Sequence, residues 1–291
     1  MNTRPLGATG IAVSELGLGA GPLGGSQLDD AAAERLIHAA IDFGITLIDT
    51  APSYGRSEPR IAVALRGRRS RIVLSTKLGY GVPHVPDWTG PCITAGIEAA
   101  LGRLETTWLD IAHLHSCPLE VLAHGEVVDA LEAAVRAGKV RVAAYSGDND
   151  ALLWSIASAR FASVQCSLNL ADQRALDVAV PRASERGLGV LAKRSLANAV
   201  WLDPTRPDAA DRAAYWDRLR AMDLASELDR ADHALRFVLA QPISSLLVGT
   251  TSAAHLAAAV AAVERGPLDA DALARVRAPF RRCDRHWDGV I

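Results

Sequence analysis

An aspartate, a tyrosine, a lysine and a histidine stand where three short apolar runs end, and together they could move a proton to or from an oxygen atom. Asp49 and Tyr54 lie in IDTAPSYGRSE, where the apolar run 45–48 gives way to a carboxylate and then a phenol. Lys77 closes IVLSTK, and His115 closes LDIAHLH. A free phenol titrates near pH ~10, so it cycles near neutrality only beside a charge that favours the phenolate. An ammonium within about 4–6 Å does this. Lys77 suits that part, Asp49 would keep Lys77 charged and oriented, and a neutral His115 would donate a hydrogen bond to a carbonyl oxygen. Singly each is ordinary: a tyrosine in Pro-Ser-Tyr-Gly is commonly a surface turn residue, and a strand-end aspartate a turn former or cap. Their placement on successive strand ends is what points to chemistry.

Residues at several strand ends meet when the strands run parallel and close into a barrel, whose strand ends and following loops form one face. The rest of the chain supplies such strands. Apolar runs predict strands at 16–19, 45–49, 72–77, 110–115, 140–145, 163–167, 188–192 and 245–248. Helical patterns fall between them at about 29–43, 57–66, 92–106, 121–137, 150–159 and 174–186. A long loop follows the seventh strand, then helices near 211–224 and 229–240. Helices at 253–264 and 269–278 follow the eighth. Asp29 and Asp30 favour a helix N-terminus, while Gly138 and Gly187 stop two helices. Eight βα units predict an α/β chain folded as a (β/α)8 TIM barrel. At 291 residues, near the ~250 of a typical barrel, one domain over 1–291 is expected. Pro204 and Pro207 belong to the long loop and mark no linker.

Two motifs compete with this reading. Gly19-Ala20-Gly21-Pro22-Leu23-Gly24 fits GxGxxG after an apolar run, with Asp49 at a suitable distance. A dinucleotide fold, however, starts its helix within the glycines, and here the helix is expected only after Gly25-Ser26-Gln27-Leu28. His113, His115 and Cys117 form HxHxC, which strand alternation would place on one face in a pattern that could ligate zinc. No metal is expected, because His115 has another role and Cys117-Pro118 falls beyond the strand end.

A net charge of −2 offers no attraction to nucleic acid or to anionic membranes. The 49% hydrophobic and 5% aromatic content suits a helix-rich soluble protein. No apolar stretch reaches the ~18 residues of a membrane span. The start, MNTRPLGATG, lacks the apolar core of a signal peptide, and Cys92, Cys117, Cys166 and Cys283 form no CxxC pair. The expectation is a cytoplasmic protein with reduced thiols. Lysine occurs only at 77, 139 and 193 amid many arginines, which points to a high-GC, bacterial genome.

With these residues in view, the chain resembles the aldo-keto reductases. The likeness runs through TRPLGATGIAVSELGLGAGPLGG, DTAPSYG, STK, LDIAHLH, GKVRVAAYS, SVQCSLN and LLVGTTSAAHL, in the family's order and over nearly the whole chain. It implies an N-terminal β-hairpin, a long loop after the seventh strand and a C-terminal tail over the barrel mouth. It also implies an NAD(P)-dependent interconversion of an aldehyde or ketone with an alcohol. The implied roles are Tyr54 as acid, Lys77 and Asp49 as its modulators, and His115 as substrate orienter. Ser146 and Gln165 match positions that hold the nicotinamide carboxamide. Where many relatives have a stacking tyrosine after the seventh strand, this chain reads Lys193-Arg194-Ser195-Leu196, two cations that could stack or reach pyrophosphate. Gly249, Thr250, Thr251 and Ser252 open a helix suited to a phosphate. Three departures stand out. The family usually has asparagine after the serine, where this chain has Gly147, with Asn149 out of register. His113 replaces a usual aliphatic residue and is expected to influence His115 from beneath. His255, Ala258 and Ala259 occupy positions where relatives preferring NADP carry basic, acidic or amide side chains, so NADP is expected by family habit and NAD remains open.

The resemblance implies a small carbonyl or alcohol as substrate, with a sugar among the candidates, and Trp88 and Trp201 are expected as pocket walls, with Tyr80 and His84 on the loop of Trp88 and Trp287 on the tail. The oligomer expected is a monomer or weak homo-oligomer. Two other readings compete: a non-catalytic nicotinamide-binding barrel that docks a partner, as some relatives do beside channels, and a lyase or isomerase barrel.

Overall fold

The computed structural model describes residues 1–224 and 230–290. A two-stranded hairpin, β1 (Thr3–Pro5) and β2 (Ala12–Ser14), precedes a closed parallel barrel. The barrel strands are β3 (Leu16–Gly19), β4 (Leu47–Asp49), β5 (Val73–Leu78), β6 (Leu109–His115), β7 (Val140–Ser146), β8 (Ser163–Ser167), β9 (Gly189–Lys193) and β10 (Ser245–Val248). Each pairs with its sequence neighbour, and β10 closes on β3. This is the expected (β/α)8 barrel with its hairpin, and the runs 16–19, 163–167 and 245–248 match their strands end to end.

The helices around it are α1 (Asp30–Asp42), α2 (Ser57–Ala64), α3 (Gly90–Arg103), α4 (Leu119–His124), α5 (Glu126–Arg136), α6 (Asn149–Ala157), α7 (Ala179–Glu185), α8 (Ala210–Ala221), α9 (Arg230–Leu239), α10 (Ala253–Glu264) and α11 (Ala270–Cys283). Asp29 caps α1 by accepting from the Ala32 N–H at 2.6 Å, as its position before an apolar pattern predicts. Three helices differ from expectation. The pattern at 121–137 is two helices, because Gly125 sits at φ 93 in the left-handed region and breaks the hydrogen-bond ladder. The pattern at 174–186 is a 3-10 turn (Arg174–Leu176) followed by α7, with Pro181 accommodated in the first turn of the helix. The last helix runs on through Pro279 to Cys283. The expected helix start at 229 lies outside the described residues.

Two apolar layers hold the barrel. Outward-facing strand residues such as Leu18, Ile48, Leu74 and Val164 pack against the helices in one continuous core. Inside, Leu47, Ile111, Val142, Leu191 and Leu247 meet Leu6, Ile11 and Val13 of the hairpin segment. The hairpin thus plugs the end at which the strands begin, leaving the ends carrying Asp49, Lys77, His115 and Lys193 for polar groups. Each such leucine or isoleucine stabilises the fold by about 1.5–3 kcal/mol relative to exposure. Across the polar end lies the C-terminal tail: Arg174 donates to the Trp287 carbonyl at 2.7 Å, Arg218 to that of Asp288 at 2.6 Å, and Arg194 to that of Val290 at 2.6 Å. Among the described residues no helix is long and apolar enough to cross a membrane.

Candidate active site

A cavity of about 510 Å³ opens at that end, and its wall brings together Asp49, Tyr54, Lys77 and His115. Strand pairing explains the convergence. Asp49 lies opposite Ser75 in the β4–β5 register, and Lys77 lies opposite His113 in the β5–β6 register. Two residues along from those partners, and on the same strand faces, come Lys77 and His115.

Lys77 is 1% exposed, and its ammonium donates to Asp49 Oδ2 at 2.6 Å and to the Thr50 carbonyl at 2.8 Å. Its Nζ stands 5.0 Å from the centre of the Tyr54 ring. Burial by itself works against both charges. For Asp49 the attraction of Lys77 and the bonds from Lys77 and Ser75 outweigh burial and hold its carboxyl below the ordinary range. For Lys77 burial is likewise overcome, by Asp49 and then Tyr54, so its ammonium loses its proton only above the usual lysine range. The pair is therefore ionised at neutral pH.

Tyr54 is carried by a tight turn after β4. Its N–H donates to the Ala51 carbonyl at 3.1 Å, and its own carbonyl accepts from Ser57 at 3.0 Å. Gly24 lies against that turn so closely that a Cβ on it would come 1.5 Å from the Tyr54 carbonyl oxygen. The glycine-rich segment after β3 thus serves to let two loops touch. Its helix, α1, begins at Asp30, beyond the glycines.

His115 is pushed down to about 3, by burial first and then by the Lys77 charge, so its imidazole is neutral. Its Nδ1 lies 2.7 Å from the Tyr80 hydroxyl. His113, fully buried, is also neutral, lowered to about 4 by burial against the pull of Asp49. Its side-chain bond goes sideways to Ser75: Nε2 is 3.0 Å from Ser75 Oγ. Ser75 spends its one proton on Asp49 Oδ1 at 2.8 Å, so it accepts from His113. His113 therefore buttresses Asp49 through Ser75, and it also adds a small share to the lowering of His115, behind burial, Lys77 and the other charges. Ser75 escaped the sequence reading although strand alternation puts it on the face of Lys77.

On the far wall Ser146 donates to Gln165 Oε1 at 2.7 Å, which turns the Gln165 amide. Gln165 Nε2 is then buried without a hydrogen-bond partner among the described residues. Lys193, Arg194, Ser195 and Leu196 all line the cavity, joined by Ser116, Asn198, Ala199 and Arg212, which the sequence reading did not single out. Lys193 is bound to Asp148 Oδ2 at 2.7 Å, and Asp148 also accepts from the Ser167 N–H at 2.8 Å. Gly249 lines the cavity, whereas Thr250, Thr251 and Ser252 lie just outside its wall, where Ser252 Oγ caps α10 by accepting from His255 at 3.3 Å. Trp88 and Trp201 are partly buried against the core and do not line the cavity. The departure at Gly147 has a local cause: a Cβ there would come 2.3 Å from the Tyr145 hydroxyl.

A family model described as the aldo/keto reductase family matches residues 15–279. The chain is 30% identical to the 6-dehydroglucose reductase of Novosphingobium aromaticivorans, over 87% of this chain and 88% of that protein. It is 28% identical to the L-galactose dehydrogenase of Arabidopsis thaliana, over 94% and 93% respectively. A solved aldo-keto reductase from Bacillus halodurans in its holo form superposes with a TM-score of 0.84 at 25% identity, covering 96% of each chain. A family model spanning nearly all of the chain, with relatives and a solved structure matched over similar lengths, establishes that the chain belongs to the aldo/keto reductase family.

Proposed function

We propose that the chain is a nicotinamide-dependent oxidoreductase that interconverts a polar aldehyde or ketone with its alcohol, with Tyr54 as the general acid and base. The observation that carries this is the buried Lys77 ammonium, clamped by Asp49 at 2.6 Å and set 5.0 Å from the Tyr54 ring. A nicotinamide, held by the residues of the far wall, would supply the hydride chemistry at the carbonyl carbon. Tyr54 gives its proton to the carbonyl oxygen, and the Lys77 charge stabilises the phenolate left behind. Asp49 keeps Lys77 charged and fixed in direction. His115, neutral at physiological pH, donates a hydrogen bond to the same oxygen and orients it. In the oxidative direction the same groups act in reverse.

The residues on the far wall fit a nicotinamide. Gln165 Nε2 is an unused buried donor, and its carbonyl is already engaged by Ser146, so the pair suits a carboxamide. Lys193, Arg194, Ser195 and Leu196, with Gly249 and the following Thr250, Thr251 and Ser252, would hold the remainder of the dinucleotide. NADP is the cofactor expected by family habit, although the start of α10 offers His255 in place of an arginine or lysine. The names of the two relatives favour a sugar or another polyhydroxylated carbonyl compound as substrate.

Fluorescence titration with NADPH and NADH separately tests the cofactor and its preference. Steady-state assays with sugar aldehydes should then show cofactor consumption that disappears in Tyr54→Phe while cofactor affinity is kept. Retained turnover in that variant would remove Tyr54 from the mechanism. Cofactor binding without turnover of any carbonyl would favour a partner-binding barrel.

A further inference from the structure

We infer that Tyr80 is a positioning residue that fixes which nitrogen of His115 carries the proton. A neutral imidazole has one N–H, and only the tautomer protonated at Nε2 can donate towards the cavity while Nδ1 faces Tyr80. The Tyr80 hydroxyl has two neighbours, His115 Nδ1 at 2.7 Å and Ser53 Oγ at 3.4 Å. The short contact has the length of a hydroxyl donating to an acceptor, and the long one is at the limit of a hydrogen bond. Nδ1 and Ser53 Oγ both compete as acceptors for the one Tyr80 proton, and the short contact takes it: Tyr80 donates to Nδ1 rather than to Ser53. The proton of His115 is left on Nε2. Among the described residues no other group pairs with His115 Nε2, and His115 lines the cavity.

The loop after β5 is built to hold Tyr80 there. Its ring stacks on His115 with centroids 5.6 Å apart and planes 23° apart, and its other side meets Trp88 edge-on at 5.8 Å. Trp88 in turn lies directly on Gly79, where a Cβ would come 2.0 Å from the indole, and the Trp88 backbone N–H donates to the Gly79 carbonyl at 2.7 Å. Asp87 Oδ1 accepts from the Gly81 N–H at 2.9 Å. Gly79, at φ 133, is thus required for the indole to reach the loop that aims Tyr80. Trp88 shapes the site from behind this phenol.

The assignment rests on His115 as the donor to the carbonyl oxygen, and its test has a readout independent of turnover. Long-range proton–nitrogen NMR of the histidines, with the His115 signals identified by their loss in His115→Asn, should show Nε2 protonated and Nδ1 bare. Tyr80→Phe keeps both ring contacts and removes only the hydroxyl. It should give a tautomer mixture at His115, a five- to tenfold lower kcat and an unchanged unfolding midpoint. The inference is overturned by a proton on Nδ1 in the parent protein, or by Tyr80→Phe leaving both tautomer and kcat unchanged. A tautomer shift in a protein that reduces no carbonyl would uphold the role of Tyr80 and defeat the proposed reaction instead.

Discussion

Asp49 and Lys77 form a buried ion pair whose worth can be separated from its proposed catalytic role by a double-mutant cycle. At 2.6 Å, in surroundings with an effective dielectric constant of about 20, their attraction is about 6 kcal/mol. Stripping water from each ion costs several kcal/mol, so the net value of the pair is small. Breaking it is a different matter. Asp49→Asn can still accept from Ser75 but leaves the ammonium facing only the Thr50 carbonyl and the Tyr54 ring, for a loss of about 3–5 kcal/mol. For a chain of this length that lowers the unfolding midpoint by about 6–10 °C. Lys77→Met should cost a similar amount by leaving the carboxylate unpaired. The double variant removes both charges, so it should be more stable than either single variant, which requires a coupling above the cost of one single variant, more than about 3–5 kcal/mol. Turnover should fall at least about 100-fold in each single variant, equivalent to about 3 kcal/mol, and should not return in the double. Urea denaturation and steady-state assays of the four proteins read both quantities. Additive stability losses would refute the claim that unpaired charge is what makes the single variants fail. The pair should also contribute a constant stability across the neutral range. Asp49, depressed below its ordinary 3.8, loses its contribution only on acidification through its folded value, and Lys77, raised above 10.5, only on alkalinisation through its own.

Acidification should act first through the histidines. His113 and His115 titrate near 6.5 when unfolded and at about 4 and about 3 when folded, so the unfolded chain binds two more protons between about pH 6 and 4. Asp172, raised to about 6 by burial and then by Asp148, opposes one of them from pH 6 down to 3.8. Stability should therefore fall by about 1.4 kcal/mol per pH unit below pH 6, about doubling in slope in Asp172→Asn and flattening in His113→Leu. Denaturation midpoints against pH check this, and a flat profile in the parent protein would contradict it. At the neighbouring strand end, Gly147→Asn should destabilise by about 1–3 kcal/mol through its collision with Tyr145. Adding Tyr145→Leu should recover part of that loss; no recovery would mean that Tyr145 is not what excludes a side chain at 147.

Much of this architecture was legible because strands buried on both faces read as short apolar runs, and a polar residue that ends such a run marks its mouth-side end. Asp49, Lys77 and His115 were found in that way, and the structure places all three on one wall. Helix ends were harder. The pattern through 121–137 stays apolar at helical spacing across Gly125, so periodicity hid a break that one backbone angle makes. The partnerships within the site were harder still. Ser75 with His113, Tyr80 with His115 and Asp148 with Lys193 join residues 38, 35 and 45 positions apart, and each depends on strand register or loop shape. The expectation for Trp88 and Trp201 rests on aromatic type and a place on loops after barrel strands, and neither tells which side of a loop a ring packs on.

The two walls of the cavity are built on different physical terms. On one, Asp49, Ser75, Lys77 and His113 belong to paired strands, and their hydrogen bonds are buried, so the geometry around Tyr54 is fixed by the same register that closes the barrel. On the other, Arg194, Ala197, Asn198 and Ala199 have φ of 57, 47, 54 and 53, four left-handed residues with no glycine among them. Each such residue costs about 1–2 kcal/mol relative to ordinary backbone, so the segment persists only because its neighbours hold it. Those neighbours are identifiable: Arg194 is tied to the tail through the Val290 carbonyl, and Asn198 is tied to α8 through Asp211 at 2.9 Å and Arg212 at 2.8 Å. Tail, α8 and strained loop therefore form one mechanical unit, separate from the strand-borne wall. Substitutions in the tail or at Asp211 should alter what the loop can hold while leaving the Asp49–Lys77 pair intact.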